Sequence, residues 1–174
     1  VLRNISFKTY NYELEEPRSE DLQIIAKAKV LEAYELVKKP CIALDSGFFI
    51  EELNGFPKAF VNFTLETIGL EGYLNLMKGK KNRNCCFKEC LAYHDGSKIH
   101  YFYGEHKGMI AEEILGEDTD QKWSDLWYLF IPNGYTKTLA QMTNEERMER
   151  KNKQNDSNSC SALQEFAKWY RANS

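Results

Sequence analysis

One stretch of the chain, residues 39–63, limits the possible folds more than any other because it joins a strand, a carboxylate and a glycine-containing turn. The apolar run at residues 41–44 ends at Asp45-Ser46-Gly47, a pattern typical of a buried strand that leads into a loop. We therefore expect Asp45 at the rim of a sheet, where a metal ion and a phosphate group can reach it.

A turn and then a helix are expected after this strand. Asn54 and Gly55 favour a turn, and Pro57 is well suited to the first position of a helix. The apolar residues that follow recur at helical spacing, which predicts a helix over Lys58–Thr67.

The remaining pattern is that of an α/β protein. Ser19 is a suitable N-cap for a helix whose apolar residues recur at three- and four-residue steps. Asp95-Gly96 is a strong hairpin signal between two β-rich segments. The predicted elements are strands at residues 5–12, 84–93 and 99–103 and helices at residues 22–37 and 69–77. With 174 residues, the chain is expected to form a single domain over residues 1–174, with helices packed on a central sheet.

Composition argues against several functional classes. A net charge of −3 does not favour bulk binding to nucleic acid or to an anionic membrane. The sequence has no apolar run of membrane-spanning length and no signal-peptide pattern. An odd number of cysteines, five, favours free thiols in a reducing compartment. We therefore expect a cytoplasmic protein with neither polymeric nucleic acid nor a membrane as partner.

Neither the cysteines nor the histidines predict a metal site. Cys85 and Cys86 are adjacent, with Cys90 nearby, which is poor spacing for zinc, so packing within a strand is the favoured interpretation. The three histidines span the predicted hairpin and are not expected to converge.

The central stretch also carries a family resemblance. The sequence DSGFFIEELNGFP, followed by GLEGYLNLM, resembles the signature of the inosine triphosphate pyrophosphatases, and matches at residues 104–105, 130–132 and 137–142 extend it over nearly the whole chain. The resemblance implies Mg²⁺-dependent hydrolysis of noncanonical purine nucleoside triphosphates, of the ITP, dITP and XTP type, to monophosphate and pyrophosphate. It also implies an elongated mixed sheet flanked by helices, two lobes with an active-site cleft between them, and a homodimer.

On the phosphate side, the resemblance implies a magnesium ion held by Asp45 and Glu16. Glu15 is the alternative ligand, and a solvated acidic loop is the alternative to a metal site. The ion or Asp45 would deprotonate the attacking water. Lys29 matches a family lysine that reaches toward the phosphates, and an ordinary surface lysine is the alternative for this residue.

Other phosphate-side positions match the family pattern only in part. Ser46 and Gly47 match it and are expected to contact the substrate. Leu44 stands where the family often has Asp or Glu, and Asn62 stands where it has a lysine. Lys58, one predicted helical turn before Asn62, is the candidate to supply the missing positive charge.

The segment KWSDLWYLFIP, residues 122–132, is expected to bind the base. The family has Phe-Gly-Trp-Asp-Pro here, which stacks on the purine and contacts its edge, and a gapless comparison places Trp127 where that Asp stands. A two-residue shift lets Asp125 take its place, with Trp123 or Trp127 as the stacking surface. The alternative is that these aromatic side chains fill the core.

A second base contact of the family is changed. Its members carry Ser-His-Arg after the Glu-Glu helix, whereas this chain has Ser157-Asn158-Ser159 after a polar insertion at residues 148–156. Asn158 could donate a hydrogen bond to a carbonyl group of the base, but without the charge that strengthens such a bond.

These departures leave alternatives to the ordinary family activity. The chain begins at Val1 with no counterpart of the family's opening strand and Thr-Gly-Asn phosphate-binding turn, so we expect that element either to be missing or to lie upstream. The changes on the base side fit an enzyme with altered base specificity. The missing opening motif, Leu44, Asn62 and the absent Ser-His-Arg fit a nucleotide-binding protein that does not hydrolyse its ligand.

Overall fold

The computed structural model describes residues 7–12, 14–155 and 161–173, which contain five helices and a five-stranded sheet. The helices are α1 (Leu22–Val37), α2 (Val61–Thr67), α3 (Gly69–Leu76), α4 (Asn144–Asn155) and α5 (Ala162–Asn173). The strands are β1 (Cys41–Ile50), β2 (Pro57–Lys58), β3 (Asn84–His94), β4 (Ile99–Ile110) and β5 (Phe130–Pro132). Short 3-10 helices lie at Glu51–Leu53 and Asp125–Tyr128. The predicted α/β class is confirmed.

The sheet has the strand order β2-β1-β3-β4-β5. β2 pairs with β1 in antiparallel fashion, with Phe48 opposite Lys58, and β5 pairs with β4 in the same way. The predicted turn at Asp95-Gly96 joins β3 to β4, and the Asp95 N–H donates to the Lys98 carbonyl oxygen at 3.1 Å. The hairpin predicted from the sequence is therefore present.

The chain divides into two compact units. The first takes the described residues within Val1–Ser46, Glu89–Glu105 and Cys160–Ser174, and the second takes those within Gly47–Lys88 and His106–Ser159. Along the chain, β1, β3 and β4 each begin in one unit and end in the other.

The first unit is built on α1 and an aromatic cluster. The side chain of Asp21 caps α1 by accepting a hydrogen bond from the Gln23 N–H, and Ser19 accepts one from the Asp21 N–H. The N-cap is therefore Asp21 rather than the predicted Ser19. The buried residues of α1 are Leu22, Ile25, Ala26 and Val30, all predicted from their spacing. The aromatic cluster consists of the buried residues Leu91, Tyr93, Ala162 and Phe166.

The second unit has a core rich in aromatic rings. The ring of Phe87 lies 4.6 Å from that of Phe48 and 4.9 Å from that of Phe130, measured between centroids. The Tyr73 hydroxyl lies 2.6 Å from Thr64 Oγ1, so this buried polar pair is satisfied. Other buried members include Ile50, Met77, Leu126, Trp127, Leu129 and Leu139.

β1 is longer than the sequence predicts. It continues through Asp45, Ser46 and Gly47 to Ile50, so Asp45 lies in the middle of a strand rather than at its end. Gly47 permits this pairing because β2 passes very close: a Cβ atom at Gly47 would lie 2.5 Å from the Lys58 carbonyl oxygen. Only glycine allows so close an approach.

The predicted helix at residues 58–67 is shorter than expected. Pro57 and Lys58 form β2, with a left-handed φ of 59° at Lys58, and α2 begins at Val61. Lys58 therefore does not share a helical face with Asn62, and the predicted relation between these two residues is wrong.

Two further findings concern only the part of the chain that the structure describes. Residues 7–12 form no strand, contrary to the prediction for residues 5–12, of which 5 and 6 lie outside the described residues. Within the described residues, no helix has the length and apolar character needed to cross a bilayer.

Candidate active site

A lysine in the first unit joins two carboxylates from different segments. Lys29 Nζ lies 2.5 Å from Glu16 Oε1 and 2.9 Å from Asp45 Oδ1. Glu16 belongs to the loop before α1, Lys29 to α1 and Asp45 to β1. Two carboxylate oxygens from different segments therefore contact the same ammonium group. The structure brings together the three residues that the sequence predicts for the metal and the phosphates.

Asp45 is more enclosed than predicted. Only 9% of the residue is exposed, although its neighbours in β1, Leu44 and Ser46, are both exposed. Burial raises the pKa of Asp45, the hydrogen bond and charge of Lys29 oppose this rise, and the charge of Glu16 adds to it. The carboxylate at the predicted metal site is thus largely withdrawn from water and held by one cationic partner.

Lys29 is a charged partner of both acids. Its side chain is 17% exposed, and it lies on the same face of α1 as the buried residues Ile25 and Ala26, which precede it by one helical turn. Burial lowers the pKa of Lys29, but the hydrogen bonds and charges of Glu16 and Asp45 outweigh this effect, so the pKa is raised overall. These contacts differ from those of an ordinary surface lysine, the alternative considered from the sequence.

The donor set fits a magnesium ion. Magnesium prefers oxygen ligands and uses one or two protein carboxylates, with water and phosphate oxygens completing its shell. Glu16 and Asp45 already direct oxygens at one cationic group. Glu15, the alternative ligand, is tied by its backbone N–H to Glu32. In the described ranges, no group of three or more His, Cys, Asp or Glu side chains is placed to hold a metal ion.

The other predicted phosphate-side residues lie on different elements of the two units. Ser46 is exposed on β1 in the first unit. In the second unit, Gly47 and Lys58 meet where β1 approaches β2, and Asn62 is exposed on α2. The structure gives Gly47 a packing role, and the substrate contacts of Ser46, Gly47, Lys58 and Asn62 stay predictions.

The predicted base-binding segment starts in a loop, where Lys122 contacts several side chains, and continues into the 3-10 helix at Asp125–Tyr128. Lys122 Nζ lies 2.8 Å from Asp118 Oδ1, 2.9 Å from Asp125 Oδ1 and 3.2 Å from the Tyr128 hydroxyl. Lys122 was not among the predicted site residues. Residues 118–124 form no helix or strand, so helical spacing in the sequence could not have indicated these pairs.

The two tryptophans of this segment differ in exposure to solvent. Trp123 is 61% exposed, and its ring meets those of Phe87 and Trp127 edge to face, at 4.9 and 6.0 Å. Trp127 is 6% exposed and belongs to the core of the second unit. A ring so enclosed has no open face for a base. The structure therefore favours the core-filling alternative for Trp127 and leaves Trp123 as the candidate stacking surface.

Arg147 is a further residue that the sequence did not indicate. Its guanidinium lies 5.5 Å from the centre of the Trp127 ring. It also donates to the carbonyl oxygens of Leu139 and Met142, at 3.0 and 2.5 Å. Arg147 is 7% exposed. Because the ring that it covers lies in another segment of the chain, no local sequence pattern predicts this contact.

The remaining predictions for side chains have mixed outcomes. Asp125 is paired with Lys122, and its contact with the base stays a prediction. Asn158 lies outside the described residues. Cys85 and Cys90 are buried in β3, where burial raises the pKa of both thiols, to about 11 for Cys90. Their placement agrees with the favoured interpretation of strand packing.

Two curated proteins show clear sequence similarity to the chain. It is 39% identical over 150 residues to the dITP/XTP pyrophosphatase of Saccharolobus solfataricus, covering 80% of this chain and 74% of that protein. It is 35% identical over 178 residues to the dITP/XTP pyrophosphatase of Methanopyrus kandleri, covering 99% and 88%.

Solved structures show the same fold. The Ham1 protein of Staphylococcus aureus matches with a TM-score of 0.75 at 22% identity, covering 94% of this chain and 83% of that one. A HAM1 protein of Coxiella burnetii matches with a TM-score of 0.75 at 18% identity, covering 92% and 81%. Residues 2–169 match the model of the Ham1 family. Together with the identity to the curated relatives, this match confirms the resemblance found in the sequence: the chain belongs to the Ham1 family.

Proposed function

We propose that this protein is a pyrophosphatase of noncanonical purine nucleoside triphosphates, of the ITP, dITP and XTP type. The observation that carries the proposal is the convergence of Glu16 and Asp45 on the ammonium group of Lys29. Metal-binding carboxylates beside a phosphate-neutralising cation are what this hydrolysis requires. The relatives named dITP/XTP pyrophosphatases, at 39% and 35% identity, support the same substrate class.

The reaction breaks the anhydride bond between the α and β phosphates. Glu16 and Asp45 would hold a magnesium ion, which when bound neutralises phosphate charge and makes a water molecule more acidic. Asp45 accepts a proton from the attacking water. As the water oxygen bonds to the α phosphorus, the bond to the bridging oxygen breaks, and its electron pair leaves with pyrophosphate. Lys29 neutralises phosphate oxygens.

On the base side, we assign the stacking surface to Trp123 because 61% of this residue is exposed. Aromatic stacking holds different purines without demanding one of them, which suits a substrate class with several bases. Magnesium as the ion and a homodimeric state belong to the same proposal, supported by the family resemblance. A cytoplasmic location belongs to it as well, supported by the cysteine content of the sequence. The described cysteines are free thiols, as a reducing compartment favours.

Asp45→Asn tests the proposal, since it keeps the shape of the side chain and removes its charge and basicity. We expect pyrophosphate release from ITP or XTP with Mg²⁺ to fall by roughly 10²- to 10⁴-fold, the usual contribution of a general base. The matched control is Glu35→Gln, which removes the same charge from an exposed pair with Lys38 on α1. This control should leave turnover unchanged.

The same assay separates the alternatives. Leu44, which is 44% exposed where the family often carries an acid, favours a second candidate: nucleotide binding without hydrolysis. A wild-type protein that binds ITP by calorimetry but releases no pyrophosphate from ITP, XTP, dUTP or ATP would establish it. Preference for dUTP or ATP would instead show altered specificity. An Asp45→Asn variant as active as the wild type would contradict the proposed site.

A further inference from the structure

The ammonium group of Lys29 occupies the point where the two proposed metal ligands converge. The oxygens that it contacts, Glu16 Oε1 and Asp45 Oδ1, are the kind of donor that magnesium takes. A lysine that served the phosphates alone would have no need to lie between these carboxylates. Its position therefore requires an explanation of its own.

A lysine ammonium and a divalent ion compete for such oxygens. Magnesium binds its ligands at about 2.0–2.1 Å, so it takes the lone pairs that the ammonium group uses. Two cations so close together also repel each other. The lysine side chain has a flexible four-carbon stem, whereas Asp45 is fixed in β1. If an ion enters, the ammonium group is the part able to move.

The charges of the two carboxylates depend on a neighbouring cation to different extents, because one is buried and the other is exposed to water. The side chain of Asp45 is 10% exposed, whereas that of Glu16 is 59% exposed. An ionised carboxylate that is buried without a partner is strongly destabilising, but an exposed one is stabilised by water. Lys29 therefore compensates chiefly Asp45 while drawing the loop that carries Glu16 toward it.

We propose that Lys29 is a place-holder for the divalent ion: it keeps Glu16 and Asp45 together in the metal-free protein and is displaced when the ion binds. Displacement releases the ammonium group for the phosphate oxygens, so ion binding favours nucleotide binding. This inference rests on the proposed function and deepens it, because it makes Lys29 a positioning residue for the metal ligands before it contacts substrate.

The test is metal binding in the absence of nucleotide, with Mn²⁺ as an electron paramagnetic resonance probe for the magnesium site. Lys29→Met keeps a long side chain and removes the competing charge. We expect its dissociation constant for Mn²⁺ to be about tenfold lower than that of the wild type. The control is Lys27→Met, which removes the same charge from an exposed position on α1 and should leave the constant unchanged.

A stability measurement accompanies the binding measurement. Without metal, Lys29→Met should unfold at a lower temperature than the wild type, and saturating Mn²⁺ should raise its melting temperature more than that of the wild type. Equal Mn²⁺ affinities in Lys29→Met and the wild type would overturn the proposal. So would weaker binding by the variant, since Lys29 would then assist the ion rather than yield to it.

A second measurement covers the case in which Lys29→Met does not fold. Nitrogen-15 resonances of lysine ammonium groups can be followed in the wild type as Mg²⁺ is added. We expect the Lys29 signal to shift at saturation while the Lys27 signal stays in place, and an unmoved Lys29 signal would overturn the proposal. Neither readout involves turnover, so failure here is distinguishable from failure of the proposed hydrolysis, which Asp45→Asn tests.

Discussion

The two regions that carry the proposed chemistry are held together in different ways. In the first unit, Lys29 and Asp45 lie on a helix and a strand, with side chains 17% and 10% exposed. In the second unit, Lys122 is 19% exposed, but its partners Asp118 and Asp125 are 77% and 56% exposed. Exposed pairs contribute little and are screened by salt. The difference indicates that the proposed phosphate-binding region around Lys29 and Asp45 is more rigid than the proposed base-binding region around Lys122. We call these regions the phosphate side and the base side.

The pKa values of Asp45 and Asp118, one aspartate from each region, are shifted in opposite directions. Burial raises the pKa of Asp45, although Lys29 pulls it down. Hydrogen bonding by Lys122, followed by that of the Thr119 N–H, lowers the pKa of Asp118. Loss of water dominates in the first region and hydrogen bonding in the second. A lysine beside an aspartate is therefore not enough to infer the behaviour of the carboxylate.

Trp127→Ala is expected to have the largest effect on stability in the base-side region. The residue is 6% exposed and packs in the core of the second unit. Removing a buried tryptophan costs about 3–5 kcal/mol, because apolar contacts are lost and a cavity remains. Urea unfolding should show this loss. The matched control is Trp123→Ala, a change of the same residue type at 61% exposure, for which we expect a loss below about 1 kcal/mol.

Equal losses in the two variants would break the distinction between a buried and an exposed tryptophan. The base side would then be a continuous core, as rigid as the phosphate side, and the contrast between the regions would disappear. A loss confined to Trp127→Ala would sharpen it.

One element that carries a candidate site residue, α1, was predictable from the sequence. Apolar residues at helical spacing indicated α1, and with it the position of Lys29. What periodicity does not give is the placement of one element against another. That placement brings Asp45 within 2.9 Å of Lys29 and selects Glu16 rather than Glu15 as the carboxylate that reaches it.

Predictions failed where two segments approach each other closely. Ser46 and Gly47 were interpreted as a loop, but Gly47 is needed where β1 meets β2. Lys58 was assigned to a helix, although it adopts a φ of 59°, which few lysines do. Likewise, composition alone cannot show that Trp127 is buried and Trp123 exposed, since packing across the second unit decides it.

Trp123→Ala has the next largest expected effect, on substrate affinity rather than stability. Stacking of a base on an aromatic ring contributes about 1–3 kcal/mol, so KM for ITP should rise roughly 5- to 150-fold with little change in kcat. Steady-state pyrophosphate release measures both constants. Trp123→Phe, which keeps an aromatic face, is the control and should retain most of the affinity. A fall in kcat at constant KM would place Trp123 in the chemical step and break the division between the two regions.

Lys122→Met has the smallest expected effect. Because Lys122 lowers the pKa of Asp118, the ionised carboxylate stabilises the fold above the ordinary aspartate pKa of about 3.9, and this stabilisation is lost as pH falls through the lower folded value. The variant should therefore melt slightly below the wild type at neutral pH, with the difference shrinking in acid and in high salt. Lys151→Met, at an exposed position on α4, is the control and should show no such trend. Thermal unfolding across pH measures both. A difference that is the same in acid would mean that Lys122 acts through its cation–π contact with the Tyr128 ring, 4.7 Å away, and not through its carboxylate partners.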